Sequence, residues 1–156
     1  MNIRTLCPTR LKHTVIPTLV TSLLLTSTPA LAQDITYQVN GEDYQGYYVS
    51  AGTNAPLVLL LHDWDGLTDY EKKRADMLQQ MGYSVFAADL FGKGIRPTEV
   101  KDKRQHTGEL YKDREKMRRL MQGALKTAQQ QGGNLDNTVA MGYCFGGAAA
   151  LELARS

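Results

Sequence analysis

The chain has 156 residues, with 18 Lys and Arg against 16 Asp and Glu, a formal charge of +2, and 42% hydrophobic residues. That length holds one domain with an ordinary core, and the near-balanced charge makes no case for nucleic-acid or anionic-membrane binding. No metal-ligand spacing, P-loop or dinucleotide fingerprint occurs, so no metal and no cofactor is expected.

The N-terminus reads as a secretory signal peptide over residues 1–32. Arg4, Arg10 and Lys12 form a basic region, Val15 to Leu25 is apolar, and Ala30-Leu31-Ala32 fits the small-x-small cleavage rule, leaving Gln33 as the mature N-terminus. The alternative, a membrane anchor, needs an apolar run of ~20 residues, and this run is shorter. Removing the three basic residues leaves 15 Lys and Arg against 16 Asp and Glu, a charge of about −1, so the basic balance belongs to targeting. Export to the periplasm or medium is the expected localisation, with no membrane association afterwards. Cys7 leaves with the leader. Cys144 is then the one cysteine of the mature domain 33–156, which excludes an internal disulfide.

Ile35 to Val39 and Tyr44 to Val49 alternate and are rich in β-branched and aromatic residues, and Asn40-Gly41 between them predicts a hairpin. Residues 51–56 read as a loop. Leu57 to Leu61 is a continuous apolar run, as in a parallel strand buried on both faces. Thr68 and Glu71 have capping-box spacing and open a helix to about Met81, with Tyr70, Leu78 and Met81 on one face and Glu71, Lys72 and Lys73 outward. Gly82 ends it. Tyr83 to Ala88 is a second buried strand, closed by Asp89. Leu90 to about Thr107 reads as a glycine-rich, basic loop. A helix carrying Leu110, Met117, Leu120, Met121, Ala124, Leu125 and Ala128 follows, its methionines as core filler. Asn134 to Asn137 reads as a turn and Thr138 to Met141 as a strand. Strands alternating with helices predict an α/β fold with a mostly parallel sheet flanked by helices.

The last strand runs into Gly142-Tyr143-Cys144-Phe145-Gly146-Gly147, and a helix-compatible run, Ala148 to Ala154, follows. Strand, glycine-flanked nucleophile and helix make the layout of a nucleophile elbow. The turn strains the nucleophile's backbone, and the glycines let strand and helix approach closely. The helix N-terminus favours a thiolate on Cys144, and the Phe145 amide is placed to donate to an oxyanion. The plain alternative for Cys144 is a small buried hydrophobe.

Other residues carry two readings each. His62 follows the first buried strand, where it either serves as a base or orders the loop. In triad order the base follows the nucleophile, which favours loop ordering. Asp63 either tunes the thiol or forms an Asx turn. Lys93 and Arg96, with Lys101, Lys103 and Arg104 nearby, either clamp a substrate anion or form a solvated basic loop. His106 reads as a surface histidine.

Three segments, Leu59 to Leu67, Gly82 to Pro97 and Met141 to Gly147, together resemble the dienelactone hydrolase family, α/β-hydrolases with cysteine in place of the usual serine. The resemblance spans roughly Ile35 to Ser156. It implies a carboxymethylenebutenolidase-like hydrolase that cleaves a lactone or ester through a Cys-His-Asp triad. Cys144 matches the nucleophile, and Phe145 and Trp64 match the backbone oxyanion donors. Asp63 matches an acidic residue that contacts the resting thiol, and Lys93 or Arg96 falls near an arginine that holds a substrate carboxylate. The family's Asp and His lie on later loops, beyond Ser156. The expectation is therefore a domain shortened at its C-terminus, with weak or no turnover and an exposed sheet edge open to self-association. The other expectation is a non-catalytic interaction module with a reactive lone thiol.

Overall fold

The structure is a computed structural model that describes residues 32–156; the predicted signal segment lies outside them except for Ala32. The elements run β1 (Gln33–Val39), β2 (Glu42–Val49), β3 (Pro56–Leu61), α1 (Asp69–Gln80), β4 (Ser84–Ala88), α2 (Val100–Lys112), α3 (Arg114–Gln130), β5 (Asn134–Gly142) and α4 (Phe145–Leu153). One sheet has the order β1-β2-β4-β3-β5. β4, β3 and β5 are parallel, and β1 and β2 add an antiparallel hairpin on the β4 side. The hairpin turns at Asn40 and Gly41, both at positive φ (52° and 83°), the geometry that Asn-Gly favours.

The apolar runs do what their composition dictates. Leu57 to Leu61 are all buried, and successive side chains serve opposite layers. Leu57, Leu59 and Leu61 join Phe86, Met117, Met121 and Phe145 on the α3/α4 side. Val58 and Leu60 join Val85, Ala87 and Ala75 on the α1 side. β3 therefore lies in the middle of the fold, and its C-terminal end opens between the ends of β4 and β5.

Several expectations needed correction. The outward reading of Glu71 fails: Glu71 and Ala75 are buried, while Tyr70 is 51% and Met81 70% exposed. The capping box explains the reversal. The buried carboxylate of Glu71 accepts from the Thr68 amide and the Thr68 hydroxyl, both at 2.8 Å, so its charge is satisfied inside the fold.

Residues 90–107 are not all loop, because α2 begins at Val100 and a break at Asp113 separates it from α3. The Asp113 carboxylate caps α3 by accepting the Lys116 amide at 2.8 Å. Asn134 to Asn137 is not a turn before the strand but the start of β5, which pairs with β3 through a register shift between Pro56 and Leu57. The last helix begins at Phe145 rather than Ala148.

Candidate active site

The ends of the three parallel strands meet at one place. β5 delivers Gly142, Tyr143 and Cys144, β3 delivers His62 to Asp65, and β4 delivers Asp89 and Leu90. Loops beyond the C-termini of parallel strands are where α/β folds build sites.

Cys144 is an exposed free thiol at the N-cap of α4, with φ 52° and ψ −115°. A non-glycine residue in this region is strained, and the strain is held by the packing around it. That packing leaves no room for side chains at the flanking glycines. A Cβ on Gly142 would fall 2.7 Å from the Leu61 carbonyl oxygen, and one on Gly146 2.6 Å from the His62 carbonyl oxygen. The elbow thus presses directly on the end of β3. The Ala148 amide makes the first helical bond back to Cys144 (3.3 Å), and the Gly146 amide turns to Tyr143 (2.8 Å). The Phe145 amide, in the first turn of α4, has no helical carbonyl four residues before it and so can donate beyond the helix start.

Phe145 itself is buried beneath the thiol. Its ring centroid lies 5.6 Å from Phe91, 5.9 Å from His62 and 5.5 Å from Tyr111. His106, expected at the surface, is half-buried and stacks on Phe91 at 5.2 Å. Partial burial, with a smaller contribution from neighbouring Cys144, pushes the Tyr111 phenol up.

His62 orders the loop and is fully buried. Its Nδ1 lies 2.6 Å from the Asp63 carbonyl and its Nε2 accepts the Leu90 amide at 3.0 Å. Both nitrogens are occupied in the neutral tautomer that these two partners require. Burial lowers its pKa further, against the raising influence of the Asp63 carbonyl.

Asp63 makes an Asx turn, with Oδ1 accepting the Asp65 amide at 3.1 Å. Burial alone would raise Asp63, but the hydrogen bonds from Asp65 outweigh it and hold the carboxyl low. Asp65 carries the opposite burden: burial and its negative neighbour Asp63 push it up to about 6. Asp63, Asp65 and Glu71 bring ligand-type oxygens within 4.8 Å of one another, a cluster not foreseen from spacing along the chain.

The two predicted anion-binding cations part company. Arg96 is not free for a substrate. Its guanidinium donates to the carbonyls of Leu67, Ile95 (2.6 Å) and Gly92 (3.4 Å) and lies 3.6 Å from the buried Asp89 carboxylate. That carboxylate also accepts the amides of Phe91, Gly92 and Gln45, so Arg96 and Asp89 together shape the 89–96 loop. Lys93 is exposed, and only its backbone is engaged, donating to Asp43 at 2.9 Å.

Trp64 is partly exposed, and Lys103 of α2 lies over its ring at 5.4 Å while approaching Asp65 at 3.9 Å. Tyr111 is the site residue that sequence reasoning did not single out, and Lys103, read there only as part of a basic, anion-facing loop, arrives with it on α2. A groove of about 380 Å³ lies elsewhere, between β5, α3 and α4, lined by Leu125, Thr138, Ala140 and Leu153 among others. Backbone geometry, not cavity volume, marks the site at Cys144.

The family model of the dienelactone hydrolase family matches residues 45–156. The chain belongs to the dienelactone hydrolase family. Among solved structures, it is similar to m3DLH at 32% identity and TM-score 0.76, over 82% of this chain and 55% of that one. It is also similar to a dienelactone hydrolase-like promiscuous phosphotriesterase from metagenomic libraries, at 30% identity and TM-score 0.73, over 82% of this chain and 55% of that one. A cold-adapted esterase from an Arctic intertidal metagenomic library shares the fold at 22% identity and TM-score 0.64, over 82% of this chain and 56% of that one. The chain therefore spans a little over half the length of these dienelactone hydrolase-like relatives. A comparison with curated protein sequences gives no match. No helix among the described residues is long and apolar enough to cross a membrane.

Proposed function

We propose that this chain carries the nucleophile and the oxyanion donors of a dienelactone hydrolase-type ester or lactone hydrolase, with Cys144 as the attacking group. The single observation behind this reading is the strained, exposed Cys144 at the N-terminus of α4. An inert buried cysteine has no use for that backbone conformation. The thiolate sulfur attacks the carbonyl carbon, a C–S bond forms, and the carbonyl π electrons move onto oxygen. The Phe145 and Trp64 amides receive that oxyanion. Collapse expels the alcohol or phenol oxygen, and water then cleaves the thioester to free acid and thiolate. Asp63 is the acidic residue that tunes the thiol in this reading. Lys93 is the cation left to meet a substrate carboxylate.

Turnover by these residues alone is slow in this reading. Both nitrogens of His62 are committed to the loop, and His106 is stacked on Phe91. The test is incubation with p-nitrophenyl acetate. One equivalent of phenolate and one acetyl group on the protein are expected, both lost in Cys144→Ala. Equal release by Cys144→Ala would overturn the reading.

Export is a further part of the proposal, supported by the leader-like composition of residues 1–32. Mass spectrometry of the protein recovered outside the cytoplasm is expected to find Gln33 at its N-terminus. A second reading, self-association through β5, is favoured by the position of that strand at the sheet's outer edge and by Val139, which is 57% exposed. Size-exclusion at several concentrations checks it: elution as a monomer throughout removes it.

A further inference from the structure

α2 crosses the site as a strap with three attachments. Lys103 lies over Trp64, His106 stacks on Phe91, and Tyr111 meets Phe145 edge-on. The last two contacts hold the floor beneath Cys144. The first reaches the loop that bears the Trp64 amide.

That loop has an electrostatic problem. Asp63, Asp65 and Glu71 converge there, His62 is neutral, and the reaction would build a further negative charge beside them. Lys103 is the cation paired with this group: its Nζ is 3.9 Å from Asp65 and its charge also favours ionised Asp63. Its side chain is only 17% exposed, so solvent screens it little. Over the indole face it makes a cation–π contact, which fixes the ring and with it the peptide that the ring hangs from.

We propose that Lys103 is a positioning residue for the oxyanion loop: laid on Trp64 and paired with Asp65, it holds residues 63–65 so that the Trp64 amide faces the reacting carbonyl. This deepens the hydrolase reading above and rests on it. The substrate does not touch Lys103; the effect passes through Trp64.

The test uses the full chain and p-nitrophenyl acetate in single-turnover acylation of Cys144, alongside acrylamide quenching of Trp64, the chain's one tryptophan. Lys103→Met is expected to lower the saturating acylation rate ~10-fold, part of what a lost oxyanion donor costs, with half-saturation changed less than ~2-fold. Its Trp64 quenching should rise ~2-fold as the ring is freed. Lys103→Arg, which keeps charge and ring contact, should restore the rate to within ~3-fold and the quenching to the wild-type value. Unchanged acylation in Lys103→Met overturns the proposal, and so does a rate loss without a quenching change or one that arginine fails to rescue. If the wild-type chain releases no more phenolate than Cys144→Ala, the hydrolase reading falls separately. The fluorescence then decides for Lys103, and unchanged quenching in Lys103→Met overturns its positioning role.

Discussion

The backbone amide of Leu90 donates to Nε2 of His62 at 3.0 Å, inside the protein and between the ends of two parallel strands. With Nδ1 turned to the Asp63 carbonyl, the ring ties the β3 loop to the β4 loop. His62→Ala leaves the Leu90 amide without a partner and opens a cavity, at a cost of about 3 kcal/mol by urea unfolding.

The same ring sets a pH dependence. The unfolded imidazole titrates near ~6.5, and burial lowers the folded value, so the unfolded chain binds more protons between the two. Stability from His62 is complete above about 6.5 and lost as pH falls below it. Melting temperatures measured down this range should fall, and the slope should flatten in His62→Gln.

Asp65 acts in the opposite sense. Its folded value of about 6 lies above the unfolded carboxyl near ~3.9, so the folded chain holds the extra proton and stability declines as pH rises through this window. Asp65→Asn removes the decline. Thermal melts should show it more stable than wild type above pH ~6 and indistinguishable near pH ~4.

Cys144 stores strain that glycine would not. Cys144→Gly is expected to raise stability by about 1 kcal/mol in urea titration while abolishing acylation. Cys144→Ala, which keeps a Cβ at positive φ, should abolish acylation without that gain. Equal stabilities for the two variants would show that the elbow backbone is relaxed.

Glu152 of α4 is buried beside the start of α3, where its carboxylate receives Arg114 at 2.7 Å and Arg118. Both arginines hold it below the usual carboxylate range, the Arg114 hydrogen bond most strongly. Glu152→Ala strands two guanidinium groups at the helix packing and should lower the melting temperature. Glu115→Ala, which removes only the exposed i,i+4 pair with Arg119, should leave it unchanged within error.

The elbow was legible because its needs are chemical and local: two glycines, a nucleophile, an apolar strand before and a helix after. The central strands were legible because burial on both faces demands unbroken apolar runs such as Leu57 to Leu61. α2 was not, since its buried side chains are only Thr107 and Leu110. Its remaining hold on the fold comes through Lys103 on Trp64, His106 on Phe91 and Tyr111 on Phe145, side chains whose polarity hides a helical spacing from a reading of apolar periodicity. Glu71 misled because charge predicts exposure, whereas the Thr68 hydroxyl and amide satisfy it in place. Arg96 shows the same limit. Its charge can be read from the residue, but the carbonyls that consume its donors are known only once the loop has folded. The start of β5 looked like a turn because Asn and Asp dominate it, and it pairs with β3 only through a register shift.

The register of β5 on β3 also governs when the thiol acquires its character. Leu57 pairs with Thr138 and Leu61 with Gly142, so the ladder that forces Cys144 into its strained turn joins segments far apart in the sequence. Such long-range closure comes late in folding. Before that pairing forms, the thiol is an ordinary one on a slack chain. The strained geometry of Cys144 is set only once β5 has paired with β3, so the reactivity of the thiol should report that pairing.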